Sequence, residues 1–121
     1  MGKAYDVMAA TCPSRTVLHR IGARWTVFVV LALGDGPRRF TQLKTRIEGI
    51  TPKVLTETLR ALEADGLVRR TSLPGNPPGV EYALTDLGRS LGGPMRAVSE
   101  WAESHVPEIL AARARYADAE A

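Results

Sequence analysis

Basic side chains gather in one stretch of this sequence, and their type suits the binding of a polyanion. Eight lysines and arginines lie between Arg38 and Arg70, against four acidic residues. Residues 1–99 carry 14 basic and 8 acidic side chains, whereas residues 100–121 carry 2 and 5, so a net charge of only +3 combines a basic body with an acidic end. Charge that is concentrated in this way favours a surface that faces a polyanion.

The single cysteine, Cys12, is the other residue with a chemistry of its own. Pro13 suits the first turn of a helix, which makes Cys12 the predicted N-cap. Arg15 and the positive end of that helix are expected to lower the pKa of the thiol, and a thiolate reacts with oxidants and electrophiles. Cys12 is therefore a candidate redox sensor that could pair with a second copy's Cys12, join a small thiol or be alkylated; the alternative is a cysteine that packs as a small apolar side chain.

Enzymes and metal centres need sets of residues that this sequence lacks. One cysteine and two histidines, His19 and His105, exclude a disulfide framework and a clustered zinc site. No glycine-rich phosphate loop, nucleophile with a base, or catalytic pair of carboxylates can be recognised. We therefore expect no enzyme activity, no metal and no cofactor.

Length and hydropathy predict one domain that does not cross a membrane. The 121 residues suit a single domain over residues 1–121, with a core at about 11–102 and a helical tail at 103–121. The uncharged run Trp25–Gly34 is about half the roughly 20 residues that a membrane span needs. The first residues also lack the apolar core of a signal peptide, so the expected location is the cytoplasm.

Apolar spacing predicts three helices before residue 48. The first runs from Pro13 to about Ile21, and the second, Trp25–Leu33, is apolar almost all round and is therefore expected to be buried on most sides. Phe40, Leu43 and Ile47 form the apolar stripe of a short third helix.

The fourth helix has the clearest signals for its start and its end. Thr51 is a good N-cap, Pro52 suits the first helical position, and Gly66 suits the residue after the C-cap. Its expected buried stripe is Leu55, Leu59 and Leu62, and its expected outward side chains are Lys53, Thr56, Glu57, Arg60 and Glu63. Only Glu48–Ile50 separates it from the third helix, which is the spacing of a helix-turn-helix.

After Gly66 the apolar period changes from 3.6 to 2, which predicts two strands, Leu67–Leu73 and Val80–Leu84. The loop between them, Pro74–Gly79, is rich in proline. The predicted fold is therefore mainly α with a small two-stranded β wing, a winged helix-turn-helix.

A closing helix is expected to start after Thr85 and to kink or break at the pair Gly92-Gly93. Two glycines cost roughly 1 kcal/mol each in a helix interior relative to alanine. Pro94 would then start a further helix, which bears Met95, Val98 and Trp101. Trp25 and Trp101 are expected in the core or at a subunit interface rather than in an effector pocket.

This fold predicts which side chains meet DNA. A helix in the major groove needs an apolar anchor and short polar or basic side chains in its N-terminal half, and the fourth helix has both. Arg38 and Arg39, just before the third helix, are expected on phosphates. Arg69 and Arg70 enter the hairpin, whose tip could lie along the minor groove. The candidate DNA-binding residues are Arg38, Arg39, Lys44, Thr51, Lys53, Thr56, Arg60, Arg70 and Asn76.

Two other interpretations remain open. These basic side chains could form an ordinary solvated surface, or the domain could be a winged-helix module that binds protein and not DNA. Lys53 and Arg60 on the outward side of the fourth helix argue against the second interpretation.

A series of short motifs runs through about residues 11–102 in a fixed order. The motifs are Cys12-Pro13, Ile21–Thr26, Gly36–Leu43, Gly49–Arg60, Leu62–Val68, Pro77-Pro78, Val80–Thr85 and Gly88. Together they resemble the HxlR-type winged helix-turn-helix regulators of bacteria.

The resemblance implies a homodimeric transcription factor that binds double-stranded DNA at a two-fold symmetric operator, with an inducer of unspecified chemistry. It would repress or activate a neighbouring operon, and the family's signals include electrophiles and oxidants. The resemblance places the fourth helices in successive major grooves, Asn76 to Pro78 at the wing tip, and Cys12 at the cysteine that some relatives use as a thiol switch. It also assigns the dimer to the terminal helices, where the expected interface residues are Val17, Met95, Val98 and Trp101.

The wing departs from the family pattern. Gly75-Asn76 and Gly79 stand where relatives usually carry charged or apolar residues around the two prolines, so the tip has no charge. The uncharged tip therefore gives no reason to expect a phosphate contact from the wing.

Overall fold

The computed structural model describes residues 4–121, which form six helices and three short strands. In chain order they are α1 (Pro13–Ile21), α2 (Thr26–Ala32), β1 (Arg38–Arg39), α3 (Phe40–Arg46), α4 (Pro52–Ala64), β2 (Val68–Leu73), β3 (Gly79–Leu84), α5 (Asp86–Ser104) and α6 (Val106–Glu120). This is the architecture of a winged helix-turn-helix, as predicted.

Local signals place α3 and α4 where the sequence predicted them. The hydroxyl of Thr51 accepts a hydrogen bond from the backbone N–H of Val54 at 3.2 Å, and Pro52 occupies the first turn. Gly49, in the turn between α3 and α4, and Gly66, just after α4, have φ of +87° and +75°. Other residues rarely adopt this left-handed backbone, so the two glycines allow the chain to turn sharply at both ends of α4.

The core forms where α2, α3 and α4 converge. Val29 and Val30 of α2 and Leu43 of α3 are almost completely buried, and so is the predicted stripe of α4, Leu55, Leu59 and Leu62. Burying a leucine or valine side chain stabilises the fold by roughly 1.5–3 kcal/mol. Because this packing fixes one side of α4, the opposite side is held towards solvent.

The sheet has three strands, whereas the sequence predicted two. β1 pairs with β3, and β3 pairs with β2, so the antiparallel order is β1-β3-β2. β1 is only two residues long, too short to show a period of its own, and it exists because β3 offers it a free edge.

The predicted break at Gly92-Gly93 is wrong, because α5 continues from Asp86 to Ser104 and includes Pro94. Two of its glycines, Gly88 and Gly92, are buried, and Gly88 lies where the helix approaches another segment of the chain. A Cβ on Gly88 would come within 2.0 Å of the carbonyl oxygen of Leu67. Tertiary packing here outweighs low helix propensity, since larger side chains would hold the helix away from the body.

The last helix, α6, extends from Val106 to Glu120, and its residues are exposed. It follows α5 after a single residue, His105. Within residues 4–121, none of the helices has both the length and the apolar character needed to span a bilayer.

Candidate nucleic-acid interface

The outward side of α4 carries two cations that the fold leaves free. Lys53 and Arg60 are seven residues apart, which is two helical turns, and both are exposed. The leucines on the opposite side anchor the helix in the core. This combination of an apolar anchor and a basic outer side is what a helix needs to enter a major groove.

Two threonines of this helix differ in what they can offer a ligand. The Thr51 hydroxyl already accepts the capping hydrogen bond from Val54, but it is exposed and keeps its own proton to donate. Thr56 is half-buried on the flank of α4, so it is less accessible than Lys53 or Arg60. Both residues stay predictions as DNA contacts.

Glu57 shares the outward side of α4 with Lys53 and Arg60, and it is exposed. Its outward position was predicted from the sequence, but it is not among the candidate DNA-binding residues named above. A carboxylate at this position either accepts a hydrogen bond from a cytosine amino group or repels the phosphates. Glu57 lies four residues after Lys53, on a helix whose buried stripe was predicted. This spacing could have identified Glu57 as a residue that affects DNA binding.

The two arginines of β1 lie on opposite sides of the sheet, because neighbouring residues of a strand alternate. Arg38 is half-buried and lines a cleft between α2 and α3. Arg39 is exposed, and its guanidinium lies beside the start of β3, where a Cβ on Gly79 would be 2.7 Å from its Nη1. The sequence predicted both arginines as phosphate contacts; the structure places Arg39 beside the wing and Arg38 at the cleft, and both contacts stay predictions.

α3 adds a basic end to this region. The side-chain oxygen of Gln42 accepts a hydrogen bond from the backbone N–H of Arg39 at 2.8 Å, which satisfies one of the free donors at the helix start. Lys44 and Arg46 then follow in the last turn, and both are exposed.

The wing offers cations on its strand and none at its tip. Arg69 and Arg70 of β2 are exposed, and Arg70 lies opposite Tyr82 of β3, which in turn lies opposite Arg38. Asn76, in the loop between β2 and β3, is exposed and can offer an uncharged amide only.

The candidate DNA-binding cations have no acidic partner within the part of the chain that the structure describes. The two ion pairs seen there are Arg20–Asp65 at 3.5 Å and Arg89–Asp86. Neither includes a candidate residue. The positive charge around α3, α4 and the wing is therefore available to an external anion.

A family model described as HxlR-like helix-turn-helix matches residues 20–110. The chain belongs to this family. YtfH, an HTH-type transcriptional regulator of Escherichia coli (strain K12), is 41% identical over 111 residues, which cover 92% of this chain and 88% of YtfH. Among solved structures, the YtfH transcriptional regulator from Salmonella typhimurium matches with a TM-score of 0.84 at 41% identity, covering 90% of this chain and 97% of that one. The redox regulator HypR in its reduced form matches with a TM-score of 0.75 at 36% identity, covering 82% and 98%.

This HxlR-like chain is a transcriptional regulator with a helix-turn-helix, and it is not an enzyme. The match covers most of the length of each of these relatives. From residue 4 onwards, no group of three or more histidine, cysteine or acidic side chains comes together as a metal site.

Cys12 of this regulator is the N-cap of α1, as predicted, and two hydrogen bonds act on its thiol. Its Sγ lies 3.0 Å from the hydroxyl of Ser14 and accepts a hydrogen bond from the backbone N–H of Asp6 at 3.2 Å. The hydrogen bond with Ser14 lowers the pKa of the Cys12 thiol below its usual value, and the Asp6 N–H lowers it further. The expected direction is therefore found, but its cause is not Arg15, whose guanidinium reaches the carbonyl of Met8 at 3.4 Å.

Three of the four expected interface residues are exposed apolar side chains. Val17 of α1 is 55% exposed, and Val98 and Trp101 of α5 are 59% and 56% exposed. The fourth is different: Met95 is only 8% exposed and packs in the chain's own core. Its side of α5 faces the body, so it supports that helix from within and offers no surface to a partner. Trp101 stacks on His105 with ring centroids 4.5 Å apart.

Proposed function

We propose that this HxlR-like regulator binds a two-fold symmetric DNA operator as a homodimer and thereby represses or activates a neighbouring operon in the cytoplasm. The observation that carries the proposal is the outward side of α4, where Lys53 and Arg60 are exposed above a leucine anchor and have no acidic partner among residues 4–121. One such helix spans only a half-site, so a second copy supplies the other half.

Exposed apolar side chains on the terminal helices support the dimer. Leu87, Val98 and Trp101 lie on one side of α5, and Val17 and Leu18 of α1 are also about half exposed. Between α1 and α5 there is a cavity of about 350 Å³ with mainly apolar walls. A second copy would cover these side chains, and burying their area favours association by roughly 25 cal/mol per Å².

Light scattering tests the dimer with a matched pair of variants. Val98→Glu places a charge in the proposed interface and is expected to give a monomer. Arg96→Glu places the same side chain on the opposite, polar side of α5 and is expected to leave the dimer intact. If both proteins stay dimeric, the interface lies elsewhere.

Selection of bound fragments from the source genome tests DNA binding and identifies the operator. Fluorescence anisotropy then measures the affinity for that operator against a random duplex. Sequence-specific binding is expected to be about 10³-fold tighter or more than binding to the random duplex. Equal affinity for both sequences would contradict sequence-specific regulation.

We propose Cys12 as the residue through which oxidants or electrophiles change operator binding. Two facts support this: the lowered pKa of its thiol, and the likeness to HypR, which is described as a redox regulator. With a peroxide, two Cys12 thiols would lose two electrons and two protons to form one disulfide, while the peroxide is reduced to water or an alcohol and water. A small thiol or an alkylating electrophile could modify Cys12 instead.

The test compares operator binding of the parent protein and Cys12→Ser before and after peroxide treatment. Loss of binding in the parent and no change in Cys12→Ser are expected. An equal oxidant response in both proteins would contradict the role of Cys12.

Glu57 gives the protein-binding alternative one observation in its favour, because an acidic side chain sits in the middle of the outward side of α4. Salt dependence separates the two functions. For a DNA binder, the affinity for a polyanion falls steeply and linearly on a log–log plot against salt. Binding that does not respond to salt would favour the protein-interaction module.

A further inference from the structure

A cleft of about 930 Å³ lies between α2 and α3, away from the outward side of α4. Within the described part of the chain, its walls include no residue of α4, β2 or β3. Its volume is at the upper end of the roughly 300–1,000 Å³ that is usual for small-molecule sites.

Two aromatic rings form one wall of this cleft. Trp25 and Phe28 have ring centroids 5.7 Å apart, and their planes are inclined by 56°. Phe28 is 46% exposed although it belongs to α2, whose residues Thr26, Val29 and Val30 are buried. An open phenyl face beside a half-buried indole is well suited to a third aromatic ring, because tilted and offset ring contacts add to the gain from apolar burial.

The polar side chains of the cleft carry charges of both signs. Arg38 and Arg46 supply two guanidinium groups, and Asp35 and Glu48 supply two carboxylates. None of the four belongs to an ion pair within residues 4–121. A ligand with one anionic and one cationic group could pair with both kinds, whereas a ligand with a single charge would leave one kind without a partner.

We propose that this cleft binds a small aromatic zwitterion of the aromatic α-amino acid class. The ligand's ring contacts Phe28 and Trp25, its carboxylate pairs with an arginine of the cleft, and its ammonium group pairs with Asp35 or Glu48. Neither tryptophan was expected in an effector pocket from the sequence, but Trp25 lines this one.

The cleft also touches the helix-turn-helix. The indole of Trp25 lies next to the turn between α3 and α4, because a Cβ on Gly49 would be 3.9 Å from its Cη2 atom. Arg38 is both a wall of the cleft and a candidate phosphate contact. A bound carboxylate would hold the Arg38 guanidinium away from DNA, so occupancy is expected to weaken operator binding. This regulatory consequence rests on the proposed function, whereas the binding site itself does not.

Isothermal titration calorimetry of the DNA-free protein tests the site with three related probes. L-Tryptophan has both charges, tryptamine lacks the carboxylate, and indole-3-propionate lacks the ammonium group. L-Tryptophan is expected to bind with a saturable heat, and each analogue at least about tenfold more weakly, because each loses one charged hydrogen bond. No saturable heat with L-tryptophan or L-phenylalanine at millimolar concentrations would overturn the proposal, and equal affinity for the analogues would overturn the charge pairing.

Variants of cleft residues test whether the ligand binds in the cleft. Phe28→Ala is expected to weaken L-tryptophan binding about tenfold or more, since it removes the open aromatic face. Tyr116→Ala removes an exposed aromatic ring of α6 and serves as the control, with no expected change. If Phe28→Ala does not fold, the double variant Asp35→Asn, Glu48→Gln removes both exposed carboxylates of the cleft and is expected to weaken binding as well. Parent-like affinity in the folded variant would refute the placement, whatever the outcome of the operator assays.

Discussion

Replacing Lys53 by alanine should reduce operator affinity without affecting the fold. Lys53 is exposed at the start of α4 and forms no ion pair among residues 4–121, so the free energy of unfolding should change by no more than about 0.5 kcal/mol. A side chain that reads a base contributes about 1–3 kcal/mol of binding, and a homodimer loses that contact twice. The expected loss is therefore about 2–6 kcal/mol, or roughly 30-fold to 20,000-fold in affinity.

The same experiment distinguishes a base contact from a phosphate contact. The assay is fluorescence anisotropy of the labelled operator over a series of salt concentrations. If Lys53 neutralises only a phosphate, the slope of log affinity against log salt should become shallower by about 0.9 for each site, or about 1.8 for the dimer. In that case, the operator and a random duplex should be affected alike.

Arg113→Ala is the matched control for Lys53→Ala. It removes the same charge from an exposed position of α6, which belongs to neither the helix-turn-helix nor the wing. Its effect on affinity is expected to be small and to vanish at high salt, because only long-range attraction is lost. If Lys53→Ala and Arg113→Ala behave alike, α4 is not the DNA-contacting helix, and the assignment of its outward side is refuted.

Three further predictions concern α4, α5 and Cys12. Glu57→Gln should strengthen binding to random duplex DNA by roughly 1 kcal/mol per site, since it removes a repulsion of phosphate; weaker binding in the anisotropy assay would contradict this. Gly88→Ala should destabilise the fold by about 3 kcal/mol or more in urea unfolding, because the new Cβ would lie 2.0 Å from a backbone oxygen. Gly93→Ala is the control: nothing lies within 4 Å of its Cβ, so it should stabilise the fold by about 0.5–1 kcal/mol. Ser14→Ala should raise the pKa of the Cys12 thiol and slow its alkylation by iodoacetamide at neutral pH, because it removes a hydrogen bond that stabilises the thiolate. An unchanged dependence of the alkylation rate on pH would show that another group sets this pKa.

The α4 helix could be predicted from the sequence because local and tertiary signals agree there. Thr51 and Pro52 specify its start, Gly66 specifies its end, and three leucines at helical spacing specify its buried side. Once that side is known, the exposure of Lys53 follows. The central part of the candidate DNA interface can therefore be predicted from the amino-acid pattern alone.

The sequence predictions for α5 and Met95 were wrong because packing between distant segments determines the structure at these positions. Glycine propensity predicted a kink or break in α5, but the helix is continuous, Gly88 lets it approach the backbone of Leu67, and Met95 packs it against the core. Met95 shares the apolar spacing of an interface residue, yet only the position of the core shows that its side of the helix faces inward. A one-dimensional pattern gives the apolar side of a helix, but it does not say whether that side meets the chain's own body or a second copy.

The different positions of Arg38 and Arg39 also could not be predicted from the sequence pattern. These two residues lie between the proposed DNA-binding surface and the proposed ligand site. As adjacent basic residues they look equivalent in the sequence. Because they pair with β3 as a strand, their side chains point to opposite sides of the sheet. The Arg39 guanidinium then lies beside Gly79 at the loop end of the wing, and Arg38 lies at the cleft that Trp25 also lines. Two residues of extended backbone thus connect a cation beside the wing to a cation of the cleft. If the proposed ligand repositions Arg38, it would act on the strand that carries Arg39 and precedes α3, which is the route by which the cleft is expected to affect the helix-turn-helix.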